Sequence, residues 1–218
     1  MNDIIFCATT CRRYDLFVKT MDSFLKNCLD KDLISKWIII DDGSTQNDLN
    51  KMKTKYPFLD IKRNPKPGHN DAVNYAYSIL DSEYVFWCED DWDFIKAGDY
   101  IHYAWEIMDT DKSIKEVQLR KWECIPKITN KGRKYFFHKF HAPKTPDNDS
   151  HWPGFSLNPS ICHVPSMKQI FPMKSTWFEL HAGVKMIQKR FNVAHSAEKY
   201  IEHIGEGVSA YKLMNRKR

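Results

Sequence analysis

The chain has 218 residues, 14% of them aromatic, with 33 lysines and arginines against 28 aspartates and glutamates and a formal net charge of +5 at pH 7. That length buries a full core as one domain, and the aromatic content excludes a disordered or low-complexity polymer. Lys212, Arg216, Lys217 and Arg218 supply most of the excess positive charge, so the body is near neutral, which argues against a nucleic-acid surface; the basic tail reads as a solvated end, or as a weak contact for anionic lipid or a glycan carrier.

In chain order, Ile4 to Ala8 reads as a short buried strand ending at Thr9-Thr10-Cys11-Arg12-Arg13. An amphipathic helix follows, with Leu16, Met21, Phe24, Leu25 and Leu29 toward one face. Trp37 to Ile40 is a second buried strand, stopped by Asp41-Asp42-Gly43-Ser44-Thr45. Asn47 to Tyr56 reads as a helix ended by Pro57, Phe58 to Lys62 as a third strand, and Asp71 to Leu80 as a helix. Tyr84 to Cys88 is a fourth strand that runs straight into Glu89-Asp90-Asp91. Strands without polar alternation, separated by helices, predict a parallel, doubly wound α/β sheet.

The second half changes character. Glu116 to Trp122 and Lys134 to His141 read as strands around a turn at Asn130-Lys131-Gly132. Pro143 to Pro159 is loop-like, helices are predicted near Met167–Phe171 and Trp177–Arg190, and Tyr200 to Ile204 is a short last strand. A nucleotide-type half followed by a mixed half suggests donor binding first and acceptor binding second.

Six cysteines, Cys7, Cys11, Cys28, Cys88, Cys124 and Cys162, form no CxxC pair, and His138, His141 and His151 are spaced too loosely to argue for zinc. Reduced, buried thiols are expected. No basic leader or transmembrane-length apolar run is present, so a soluble, cytoplasmic protein is expected.

The informative feature is the acidic triplet. Open α/β sheets bind ligands at the C-terminal edge of their strands, and clustered carboxylates there repel one another unless solvent, protonation or a cation compensates. A hard divalent ion, Mg²⁺ or Mn²⁺, shared with a phosphate-bearing ligand satisfies that demand; a solvated acidic turn is the plain alternative. Asp41-Asp42-Gly43-Ser44 could likewise be only a turn and helix cap.

Four segments together resemble the GT-A glycosyltransferases, the nucleotide-diphospho-sugar transferase fold, and especially its inverting, family-2-like members. These are Thr9 to Arg13, Ile39-Ile40-Asp41-Asp42-Gly43-Ser44, Gly68 to Ala76 with its Gly…Ala-x-Asn frame, and Glu89-Asp90-Asp91 in place of the DxD motif. The likeness spans nearly the whole chain, which in its shortness also resembles small stand-alone transferases of large DNA viruses or bacterial glycan clusters. It implies a single domain over 1–218, with a nucleotide-binding half at 1–93, an acceptor half at 94–211 and a tail at 212–218.

By that resemblance Thr9, Cys11, Arg13, Asp41, Asp42, Gly68, Asn74, Glu89 and Asp90 contact the nucleotide sugar, with a carboxylate of the Asp41-Asp42 pair on a uracil imide or the ribose. Asp91 and His203 hold Mn²⁺ or Mg²⁺. Glu179, alone where relatives carry paired acids, is the catalytic base. Trp152, in Trp152-Pro153-Gly154-Phe155, offers a platform for a sugar. Val73 stands where many relatives carry an arginine near the diphosphate, leaving Arg12, Arg13 or Lys66 to compensate.

The activity this resemblance implies is transfer of a sugar from a nucleoside-diphosphate sugar, with a UDP-linked donor expected, to a glycan or other hydroxyl acceptor. Two other classes share these features. A metal-dependent phosphohydrolase or nucleotidyltransferase would use the same acids but normally wants a second carboxylate set or a Gly-rich loop, and neither is seen. A non-catalytic nucleotide-sugar or glycan-binding module would account for the departures at Glu89 and Glu179.

Overall fold

In the computed structural model, residues 3–138, 153–175 and 177–205 are described. The chain order is β1 (Ile4–Thr10), α1 (Tyr14–Asn27), β2 (Ile34–Asp41), α2 (Gln46–Lys55), β3 (Asp60–Arg63), α3 (His69–Ile79), β4 (Tyr84–Glu89) and β5 (Trp92–Phe94). It continues with α4 (Tyr100–Thr110), β6 (Ile114–Gln118), β7 (Ile125–Ile128), β8 (Lys134–His138), β9 (Ser160–His163), α5 (Val164–Met167), α6 (Phe178–Gln188), β10 (Asn192–Ser196) and β11 (Ile201–His203).

Nine strands form one sheet in the order β3-β2-β1-β4-β9-β6-β10-β8-β7, and β11 pairs with β5 in a separate two-stranded sheet. The first four strands are parallel, as the strand–helix alternation predicts. The second half is mixed because β9 runs antiparallel between β4 and β6, and β8 antiparallel to β10. No expectation covered α4, β5, β7, β9 or β10.

Both sheet faces are covered, so the central strands are apolar throughout. Successive side chains of β1 alternate between faces: Ile4, Phe6 and Ala8 enter one cluster with α1, α2 and α4, while Ile5 and Cys7 enter another with α3 and α6. The buried face of α1 is Phe17, Thr20, Met21 and Phe24. Leu29, placed on that face by the periodicity, lies past the end of the helix and is exposed. The predicted strand ending at Trp122 stops at Gln118, where the chain turns away and Leu119 N–H donates to the Pro159 carbonyl at 2.9 Å.

Register positions the site. Thr10 of β1 stands beside Asp41 of β2, and Thr9 beside Glu89 of β4. The C-terminal ends of three parallel strands therefore present Thr9, Thr10, Asp41 and Glu89 along one sheet edge.

Phe24 is the hinge of the larger core, with ring centroids 4.9 Å from Phe6, 4.7 Å from Phe86 and 5.0 Å from Phe94. Phe24→Ala should therefore lower the unfolding free energy by about 3–5 kcal/mol. Urea melts of the two proteins check this, and a loss below about 1 kcal/mol would mean that this aromatic cluster does not organise the core.

Candidate active site

A cleft of about 620 Å³ opens at that sheet edge, lined by Thr9, Thr10, Cys11, Arg13, Asp42, Gly68, His69, Glu89, Asp91, His203 and Gly205 with Pro67 and Ala72. Segments distant in sequence meet there because their strands end together.

The β2 turn divides its two acids. Asp41 is fully buried and accepts from Ser44 N–H at 3.1 Å, from Gly43 N–H and from the Arg63 guanidinium, so its carboxylate faces the turn. Asp42 lines the cleft, accepting from Asn64 Nδ2 at 2.7 Å and Gly68 N–H at 3.0 Å. Gly68 begins α3 at φ +135°, a conformation that disfavours a side chain and brings its N–H onto Asp42.

The acidic triplet is likewise divided. Glu89, half-buried, pairs with His69 Nε2 at 2.7 Å. Burial disfavours the imidazolium, but the bond to Glu89 and its charge outweigh it, and the His69 pKa is raised. Asp90 is fully buried and accepts from Thr10 Oγ1 at 2.8 Å, Cys11 N–H at 3.2 Å and the Arg13 guanidinium. Burial pushes the Asp90 carboxyl up to about 6 against the opposing pull of Arg13. Arg13 Nη1 also meets Asp91 Oδ2 at 2.8 Å.

Asp91 Oδ1 is buried and without a hydrogen-bond partner, while His203 Nε2 stands 3.4 Å from Asp91 Oδ2. Gly205 packs so closely on this carboxylate that a Cβ there would lie 2.8 Å from Asp91 Cγ. An orphaned carboxylate oxygen beside an imidazole nitrogen is a donor set that fits a hard divalent cation.

Asn74 does not face the cleft. Its amide bonds the Met173 backbone in both directions, at 2.7 and 2.8 Å, and ties α3 to the segment before α6. Trp152 lies outside the described residues, as do His141 and His151. The cations expected to replace the missing arginine at buried Val73 are engaged: Arg12 with the Gly43 carbonyl, Arg13 with the acidic turn, and Lys66 with Asp71.

A second cleft abuts the first, lined by Glu89, Gln118, Arg120, Trp122, Ser156, Asn158, Glu179 and His195, so Glu89 borders both. Glu179, in the first turn of α6, accepts from Leu157 N–H at 2.7 Å. Burial raises its pKa, the Leu157 bond opposes this, and Glu89 raises it further. Behind it Glu116 is wholly buried, bonded to Gln118 at 3.1 Å, and burial holds its carboxyl well above the usual range. Gln118, Arg120 and Trp122 line this cleft but were not among the expected site residues; the one signal was a cationic and aromatic pair inside the predicted strand Glu116 to Trp122.

Residues 5–145 match the profile of glycosyl transferase family 2. The chain belongs to this family. No curated protein sequence matches it. Among solved structures it is similar to the mannosyltransferase PcManGT from Pyrobaculum calidifontis, determined in complex with GDP-Man and Mn²⁺, with a TM-score of 0.66 at 13% identity over 98% of this chain and 61% of that one. It is also similar to residues 1–349 of S. aureus TarS, with a TM-score of 0.59 at 15% identity over 91% of this chain and 59% of that one. The family 2 chain thus has the GT-A fold and spans about 60% of the length of each neighbour. Among its described residues no helix is long and apolar enough to cross a membrane.

The family 2 chain should carry the signature of a raised Asp90. Below the ordinary 3.8 this carboxyl is protonated folded or unfolded; as pH rises toward about 6 only the unfolded chain releases the proton, so stability falls across that window. Asp90→Asn cannot titrate, so metal-free wild type should lose stability relative to it between those two values and not above them. Parallel urea melts give the difference, and one that stays flat with pH would show that burial does not dominate at Asp90.

Proposed function

We propose that this chain is a single GT-A transferase domain that moves a sugar from a nucleoside-diphosphate sugar to a hydroxyl of a glycan or similar acceptor, with inversion and with the help of a divalent cation. The observation that carries the reading is Glu89 standing between two clefts, one edged by Thr9, Asp42, Gly68 and Asp91, the other holding Glu179. A donor in the first and an acceptor in the second would meet at that wall, as an in-line displacement needs.

In this reading residues 1–93 supply most of the donor cleft, Asp42 takes the base or ribose with its remaining lone pairs, and Gly68 lets the backbone approach. The second cleft places an acceptor sugar on the exposed face of Trp122, with Gln118 and Arg120 hydrogen-bonding its hydroxyls. Glu179 takes the proton of the attacking hydroxyl; its raised pKa brings its basicity nearer to neutrality while the Leu157 N–H fixes its orientation. Asp91 and His203 would hold Mn²⁺ or Mg²⁺, which when bound supplies Lewis-acid stabilisation of the departing diphosphate. The Mn²⁺ and GDP-Man bound by PcManGT support metal and nucleotide-sugar use by analogy. A UDP-linked donor remains our assignment for the base, on the Asp41-Asp42 turn.

Glu179→Gln should bind donor normally yet lose about 10²–10⁴-fold in transfer rate. The acid limb of kcat/KM for wild type should lie above the ordinary carboxylate value, because the base must be ionised and its pKa is raised. Radiolabelled transfer assays across pH test both points, and near-normal turnover by the Gln variant would remove Glu179 as the base. Asp91→Ala should fold but lose the Mn²⁺-dependent thermal stabilisation given by nucleoside diphosphates or their sugars; an unchanged metal-linked shift would move the ion elsewhere.

A further inference from the structure

Three side chains from three separate strand segments converge at the far end of the sheet. Cys124 immediately precedes β7, His138 ends β8 and His195 lies on β10. Extending the β7–β8 pairing of Ile125 with Phe137 by one residue sets Cys124 across from His138. In the β8–β10 pairing His138 opposes Val193, so His195 is its diagonal neighbour on the same face.

The result is a compact donor set. One ligand atom from each of Cys124, His138 and His195 lies within 4.8 Å of the other two, and Cys124 Sγ is 3.6 Å from His138 Nδ1. Metal–ligand bonds of about 2.3 Å to sulfur and 2.0–2.1 Å to nitrogen at a tetrahedral angle separate S and N by about 3.5 Å. The Cys124–His138 edge therefore already has the spacing of a tetrahedral zinc site.

His195 is the independent witness. It is 2% exposed, and both of its ring nitrogens are buried without a hydrogen bond. Its ring neighbours are His138 at 5.5 Å and Trp122 at 6.0 Å between centroids. A buried imidazole with idle nitrogens is costly, on the order of 1–3 kcal/mol.

We propose that Cys124, His138 and His195 bind a zinc ion, with water as the fourth ligand. Thiolate and imidazole donors favour Zn²⁺ over Mg²⁺ or Mn²⁺, so the site is distinct in chemistry and place from the carboxylate site at Asp91. On binding, the Cys124 S–H bond breaks, its proton goes to solvent, and the sulfur electron pair bonds the metal. The ion would tie the start of β7 to β8 and β10. Because His195 and Trp122 also line the cleft that holds Glu179, it would fix one wall of that cleft.

The test uses the whole reduced chain, stripped with a chelator and titrated with Co²⁺ as a spectroscopic stand-in. One equivalent should produce a thiolate-to-cobalt charge-transfer band and tetrahedral visible bands, both bleached by Zn²⁺. Cys124→Ser, at a half-buried position and checked for folding by circular dichroism, should lose the charge-transfer band. His195→Gln should weaken Co²⁺ binding, whereas Asp91→Ala should leave the spectrum unchanged whether or not the chain is a transferase. Absence of a thiolate band in wild type, or its persistence in Cys124→Ser, overturns the site.

Discussion

Everything at the sheet edge depends on how two consecutive buried acids are tolerated. Asp90 and Asp91 follow β4 with little solvent, and an unpaired buried carboxylate costs several kcal/mol. Arg13 bridges both, while Thr10 and the Cys11 N–H complete the set around Asp90. Arg13 can do so because it follows β1 directly and β1 pairs in register with β4. The same carboxylate of Asp91 meets His203, and β11 is held nearby by its pairing with β5 and by Ile204 N–H donating to the Asp91 carbonyl at 2.9 Å. One arginine therefore stabilises a junction that draws the beginning, middle and end of the described chain together.

The antiparallel strand β9 creates the second feature of the site. Between β4 and β6 a parallel strand would need a helical crossover; β9 instead enters from the segment at 153–159, which covers the sheet edge beside Glu89. That segment is anchored from within by Phe155 and Leu157, both buried, and by the Gly154 carbonyl accepting from Gln118 at 2.9 Å. Its Leu157 N–H then orients Glu179 across the chain. The interruption of the parallel sheet is thus what brings an α6 carboxylate next to the end of β4.

The first ninety residues were legible because each strand is a short apolar run closed by a turn signal and followed by a helical period. Within them the acidic triplet and the Asp41-Asp42 turn announced a site, but not how neighbouring acids divide their work. Asp41 turned inward because Arg63 and two turn amides claim it; Asp42 did not. Asn74 fitted a motif, yet the Met173 backbone takes both ends of its amide, a contact 99 residues distant that no local pattern encodes. The omission of α4 is different in kind: Ile101, Ala104, Ile107 and Met108 are buried at helical spacing, so the signal was present. For β9 and β10 it was not, since four or five residues with interspersed polar groups become strands only through partners elsewhere in the chain. The Cys124, His138 and His195 cluster was hidden for the same reason: metal-site spacing rules describe single turns, and these ligands come from strand pairing.

Glu89 and Glu179 on the clefts and Glu116 buried behind them show how burial separates identical groups. Glu116, with no exposure and one oxygen unpartnered, is held well above the ordinary carboxylate range by burial and lines neither cleft. Glu89 is already committed to the half-exposed His69. Glu179 is raised by burial against the opposing bonds from the Leu157 N–H and the Ser156 side chain, and it lines the second cleft. A base must be ionised enough to accept and basic enough to want the proton. In the proposed reading that task falls to Glu179, which lines the second cleft and whose pKa burial raises.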